Sequence, residues 1–146
     1  MMDTTHEPSN PPTATDLLNH PIVQRALEQA WTDSLSHDAV LRHEEGGWIY
    51  MNLTTGEISI RRAPAGLQAA LDLSSPPGVP GCVVVGKLHT HPNPTSDGWD
   101  PGPSAVDRVV DARHGVPDLI RADDGVHTSG PLSRRGGLAG DPRYPA

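Results

Sequence analysis

The run Val83 to Leu88, closed off by Pro80-Gly81 before it and Pro92 after it, reads as a buried strand, and the rest of the chain must be arranged around it. His89 and His91 continue that strand two residues apart. Side chains alternate across a strand, so both imidazoles leave the same face at its C-terminal end. A Pro/Gly-rich loop follows, and then Ser104 opens a helix whose first turn carries Asp107. A carboxylate one turn into that helix can swing back toward the strand end. Two nitrogens and one oxygen, with a fourth position left for water, are the donor set of a catalytic zinc site.

A chain of 146 residues suits one domain with a sizeable core. Phe is absent and aromatics make up only 3%, so that core must come from Val, Leu, Ile and Ala with a few Trp. The net charge of −7 excludes a basic field for phosphates, and Arg61-Arg62 and Arg134-Arg135 are too sparse to supply one; no nucleic-acid partner is expected. Cys82 is the single cysteine, so no intramolecular disulfide forms, and it is expected reduced and buried. The start has neither a basic nor an apolar signal region, and no apolar run reaches membrane-spanning length, which makes the cytoplasm the expected compartment.

Residues 1–18 are polar and proline-rich and read as a disordered lead-in, 19–133 as the folded domain, and 134–146 as an irregular, flexible tail. A helix is expected from Pro21 to Asp33, with Ile22, Val23, Ala26, Leu27, Ala30 and Trp31 as an apolar stripe for a sheet. From Ala39 to Arg62 the pattern is one of strands, with a turn at Thr54 to Glu57 and an antiparallel return at Ile58-Ser59-Ile60. Leu67 to Leu73 fits a helix or a strand, and Ser74 to Gly81 a loop. The helix from Ser104 to His114 is expected to bury Val106, Val109, Val110 and Ala112, with Gly115 as its C-cap. Leu119 to Arg121 and Val126 to Thr128 read as strands. Together these give a mixed α/β domain.

The run His89-Thr90-His91-Pro92, then Ser104-Ala105-Val106-Asp107, with a glutamate on an earlier strand, resembles the JAMM (MPN-plus) metalloproteases, most closely their bacterial JAB-domain branch. The likeness spans roughly Leu41 to Pro131. It implies a cytidine-deaminase-like fold, a mixed β-sheet flanked by helices. It also implies one catalytic Zn2+ held by His89, His91 and Asp107, with the upstream glutamate as general acid/base and Ser104 as oxyanion donor. The implied substrate is a protein or peptide, including the conjugates of ubiquitin-like modifiers. The family places an aliphatic residue about five positions after the glutamate; Glu44 with Ile49 fits and Glu45 is one out of step, so Glu44 is the expected base. Family members commonly have about seven residues between the second His and the Ser, whereas twelve, Pro92 to Pro103, intervene here. The longer loop costs little in closure entropy, but it alters the cleft wall, where Trp99 can fill a substrate subsite.

Each of these features also has an ordinary structural explanation. Ser104 to Asp107 is a capping box, and Glu44 and Glu45 can be solvated residues at a strand edge. His43, His114 and His127 read as surface or hydrogen-bonded histidines, and Trp48 as a core residue. Two other ligand schemes fit less well. A non-haem iron triad uses two His and one carboxylate but leaves Ser104 and the glutamate without a role. A zinc deaminase needs Cys ligands and a Glu where His91 stands. A non-enzymatic alternative is a catalytically silent MPN-like interaction module.

Overall fold

The computed structural model describes residues 10–145; the part of the expected lead-in over 1–9 lies outside the described residues. Order begins before residue 19. Thr13 accepts from the Asp16 N–H and the Asp16 carboxylate accepts from the Thr13 N–H, a reciprocal cap that starts α1, Ala14–Leu18. Leu17 is buried in the core, and the Ala14 N–H donates to the Leu132 carbonyl at 2.7 Å. Helix α2 spans Pro21–Asp33, the expected bounds, with Pro21 where a missing N–H costs nothing and His20 Nδ1 accepting from Ile22 N–H.

Five strands follow: β1 Gly46–Asn52, β2 Ile58–Arg62, β3 Cys82–Thr90, β4 Asp118–Ala122 and β5 Gly125–Ser129. They form one mixed sheet in the order β2-β1-β3-β4-β5, in which only the β3–β4 pair is parallel. Helix α3, Ala105–His114, makes the crossover that a parallel pair requires. The result is a single-domain α/β protein with helices flanking the sheet. No helix among the described residues is long and apolar enough to cross a membrane.

The two faces of the sheet bury separate cores. Val23, Leu27 and Ala30 of α2 pack with Ile49, Met51, Val83, Val85 and Leu88 on one face. Trp48, Tyr50, Val84, Leu73 and Val116 meet on the other. Strict alternation cannot put both Val85 and Leu88 on the α2 face. The β1–β3 register explains it: Ile49 pairs with Gly86 and Tyr50 with Val84, leaving Val85 as an extra residue. This β-bulge reverses the parity of everything after it and turns Lys87, His89 and His91 to the face that carries α3.

Several expectations are corrected here. Ala39 to Leu41 form a turn rather than a strand, because Asp38 Oδ1 accepts from both the Val40 and Leu41 N–H groups; Val40 is 89% exposed. Leu67 to Leu73 are neither helix nor strand. Cys82 is half-buried at the start of β3, where burial pushes its thiol pKa up. Most consequential, α3 does not bury its valines: Val106 is 71% and Val109 60% exposed, Ala112 is exposed, and Asp111 and His114 are the residues turned inward. Gly115 does cap the helix, at φ 72° in the left-handed region.

The C-terminal segment has no regular elements, yet it is packed rather than loose. Ahead of the start of β4, which pairs from Lys87 onward, the edge of β3 would be bare; instead Val84 N–H donates to Pro142 O (2.8 Å) and Arg134 Nη1 donates to Val84 O (3.0 Å). Arg134 is buried and also binds the carbonyls of Arg143 and Asp141. Tyr144 stacks on the His114 ring with centroids 4.0 Å apart and donates to the Leu73 carbonyl. The tail therefore supplies the hydrogen bonds that a buried strand edge requires.

Candidate metal centre

The site lies at the C-terminal end of β3, beside the parallel crossover, where open α/β sheets leave a crevice. His89 is the penultimate residue of β3, and His91 follows the strand with its N–H donating to the Arg121 carbonyl at 2.9 Å. Their Nε2 atoms face one another at 3.1 Å. Asp107, one turn into α3, places Oδ2 3.1 Å from His91 Nε2 and Oδ1 3.6 Å from His89 Nε2. Donor atoms 2.0–2.1 Å from a tetrahedral ion sit about 3.3 Å apart, and these three separations bracket that spacing.

Glu44 completes the cluster. Its carboxylate oxygen and the ring nitrogens of His89 and His91 all lie within 4.8 Å of one another, a group that can hold a metal ion. Local geometry aims it there. Thr90 N–H donates to Glu45 O (2.9 Å), and Glu45 N–H donates to Thr90 Oγ1 (3.0 Å), tying this segment to the histidine strand. Gly46 pairs with His89, and a Cβ on Gly46 would fall 2.3 Å from the Leu88 carbonyl oxygen, so only glycine permits this approach. Glu45 is engaged elsewhere: it accepts from Arg62 Nη2 at 2.7 Å and pairs with His43 Nε2 at 2.5 Å.

The capping box at α3 is also made. Ser104 Oγ accepts from Asp107 N–H (3.0 Å), and Asp107 Oδ2 accepts from Ser104 N–H (2.9 Å). The cap fixes the Asp107 rotamer, so one interaction both starts the helix and presents the carboxylate to the histidines. The Ser104 hydroxyl keeps its own proton for another acceptor.

One residue that the sequence reading did not single out orients the centre. Asp118, at the start of β4 and buried, lies 3.1 Å from His89 Nδ1. Burial pushes against ionisation of Asp118, but the His89 and Lys87 charges win and hold its pKa low. A carboxylate only accepts, so Nδ1 carries a proton, which leaves Nε2 as the nitrogen that would coordinate once its own proton is given up. The available signal was an ionisable residue immediately before the apolar pair Leu119-Ile120. Of the remaining candidates, His127 pairs with Asp124 at 2.8 Å outside the cluster, and Trp48 is in the core.

The electrostatics follow from the crowding. Burial, with Asp107 and Asp118 nearby, raises Glu44 to about 7 despite the two imidazoles. Burial disfavours a charged His89, yet Asp118 and Asp107 outweigh it and lift its pKa well above the imidazole norm. Burial likewise opposes ionisation of Asp107, but hydrogen bonds from His89 and His91 hold its carboxyl far below the usual range. In the metal-free protein Glu44 binds its proton up to about pH 7, whereas in the unfolded chain it ionises at its ordinary 4.5. The folded form therefore holds the extra proton between those values, and stability falls as pH rises through them. His89 acts in the same direction, its contribution complete below 6.5 and lost as pH climbs through its raised value. Urea titrations of chelator-treated protein at pH 5 and pH 8 are expected to give the lower midpoint at pH 8.

No family model, curated protein or solved structure matches this chain. Fold and site together define a single-domain α/β protein with a histidine–carboxylate cluster, capable of holding a metal, at the end of its central strand.

Proposed function

We propose that this chain is a zinc-dependent metallopeptidase or isopeptidase of the JAMM type, on a cytidine-deaminase-like fold. The observation that carries the reading is the convergence of His89, His91 and Asp107 at 3.1–3.6 Å with a protonatable Glu44 beside them. The five-strand mixed sheet, with candidate ligands at the end of its middle strand and in the first turn of α3, supports this reading. The donor chemistry fits zinc: two imidazoles and one carboxylate, one imidazole backed by the Asp118 carboxylate.

Bound there, zinc would supply a Lewis acid and bring the pKa of a water toward neutrality. The residues of the chain do the rest. Glu44, which burial already makes easier to protonate than an ordinary carboxylate in the metal-free protein, takes a proton from the attacking water and delivers it to the leaving amine. Ser104 Oγ–H donates to the oxygen that gains charge, while its lone pair holds the cap of α3. Asp118 keeps His89 in the tautomer that coordinates. A non-haem iron site uses the same three ligands but gives Glu44 no task.

Elemental analysis of the purified protein is expected to return about one zinc per chain. Peptide-library cleavage should vanish with a chelator and return on adding zinc. His89→Ala and Asp107→Ala should lose metal and cleavage together. Full activity in chelator, or a preparation that takes up no zinc, overturns the reading.

A further inference from the structure

Around the metal-facing groups runs a cleft of about 550 Å³ whose floor is polar and whose walls are not. One wall is the stretch Leu71 to Leu73. The segment that leads into it is tied to the glutamate segment by Glu44 N–H donating to Leu67 O and Gly66 N–H donating to Glu44 O, both at 2.8 Å. The Gln68–Asn93 amide pair, at 2.9 Å, fastens it to the loop after His91. The other wall is α3, which presents Val106 and Val110, one turn apart, to the same space as Asp107. Trp99, from the long loop, closes the rim and is 47% exposed. Both walls are therefore apolar and anchored to the elements that carry the reacting groups.

Val106 gains nothing from the fold in this position. Helix α3 docks through Asp111 and His114, and it leaves Val106 in solvent. Exposed apolar side chains lining a cleft beside polar reacting groups are the composition of a ligand wall. Charge narrows the choice further. Among the described residues, the lining has acidic groups in Glu44, Asp100, Asp107, Asp111 and Asp118. Apart from the imidazoles, its sole base is Lys87, whose ammonium is already taken by Asp111 and His114. Away from the metal-facing groups the lining has no free basic side chain to receive an acidic one, and a diglycine tail would leave both walls bare.

Resting on the hydrolase reading above, we propose that the cleft selects a peptide with a bulky apolar side chain next to the scissile bond, clasped between Leu71 and Leu73 on one wall and Val106 and Val110 on the other, under Trp99. Selectivity comes from the side chain displacing water from both walls at once.

Two measurements test this. In zinc-loaded protein, calorimetry should find leucine hydroxamate binding on the order of 10–100-fold tighter than glycine hydroxamate, with aspartate hydroxamate no tighter than glycine hydroxamate. Val106→Asp should retain zinc and reduce the leucine preference to about 2-fold or less. In metal-free protein, N-acetylleucinamide should shift the Val106 and Val110 methyl resonances, and N-acetylglycinamide should not. Equal hydroxamate affinities, or methyl shifts that ignore the leucine side chain, overturn the subsite even if zinc-dependent cleavage stands. The methyl readout needs no metal, so a protein that refuses zinc but shows the leucine shifts would fail the hydrolase reading and keep the apolar subsite.

Discussion

Glu44→Gln is expected to lower peptide-bond turnover by about 10²–10⁴-fold while zinc content stays at one per chain. The amide preserves shape and hydrogen-bonding reach but cannot shuttle a proton. It also removes the group whose buried ionisation opposes folding at neutral pH, so metal-free Glu44→Gln should unfold at a higher urea midpoint than the parent at pH 8. A variant that is both slower and more stable cannot owe its inactivity to unfolding. Glu45→Gln gives the opposite pattern. It weakens the contacts to Arg62 and His43, lowers stability and leaves turnover within a few-fold of the parent on the order expected for a group outside the chemistry. Turnover by Glu44→Gln at the parental rate would remove it from the mechanism.

Much of this site could be read from local rules. A two-residue spacing on a strand puts His89 and His91 on one side whatever the fold, and a capping box fixes where a carboxylate at its third position points. The face those side chains choose could not be read. Val83, Val84 and Val85 are chemically alike, so nothing in the run marks Val85 as the extra residue that reverses the parity. The orientation of α3 failed for a related reason. Val106, Val109 and Val110 make one stripe at helical spacing; Asp107, Asp111 and His114 make another. Which stripe turns inward depends on Lys87, a partner on β3 that only the tertiary fold brings beneath it. Asp118 and Tyr144 were missed likewise, since each acts through a residue distant in sequence. Glu44 and Glu45 are neighbours whose different positions are set by Arg62 and the histidine strand.

The sheet holds α3 by charge, so Lys87→Met is expected to destabilise the metal-free protein by about 3–5 kcal/mol. Lys87 Nζ donates to Asp111 Oδ1 at 2.6 Å and to His114 Nδ1 at 2.8 Å, with both members of the ion pair buried. Burial and the adjacent ammonium push His114 down to about 4, so its ring is neutral and accepts. Asp111 Oδ2 already has no donor to accept from; without Lys87 its other oxygen loses its ammonium, and an uncompensated carboxylate is left between helix and sheet. Burial and the neighbouring Asp118 already push Asp111 toward its protonated form, which sets the sign of the effect: the loss should be greatest at neutral pH and shrink in acid. Lys87→Met/Asp111→Leu should recover most of the stability, because a well-packed apolar pair often matches a buried ion pair. Denaturant midpoints for the parent, both single variants and the double variant close the cycle, and an interaction energy below about 1 kcal/mol would mean that α3 is held by something other than this pair. Asp107 rides on the same helix four residues away. The single variants should therefore weaken zinc binding as well, and to the extent that the double variant restores the helix it should restore the metal.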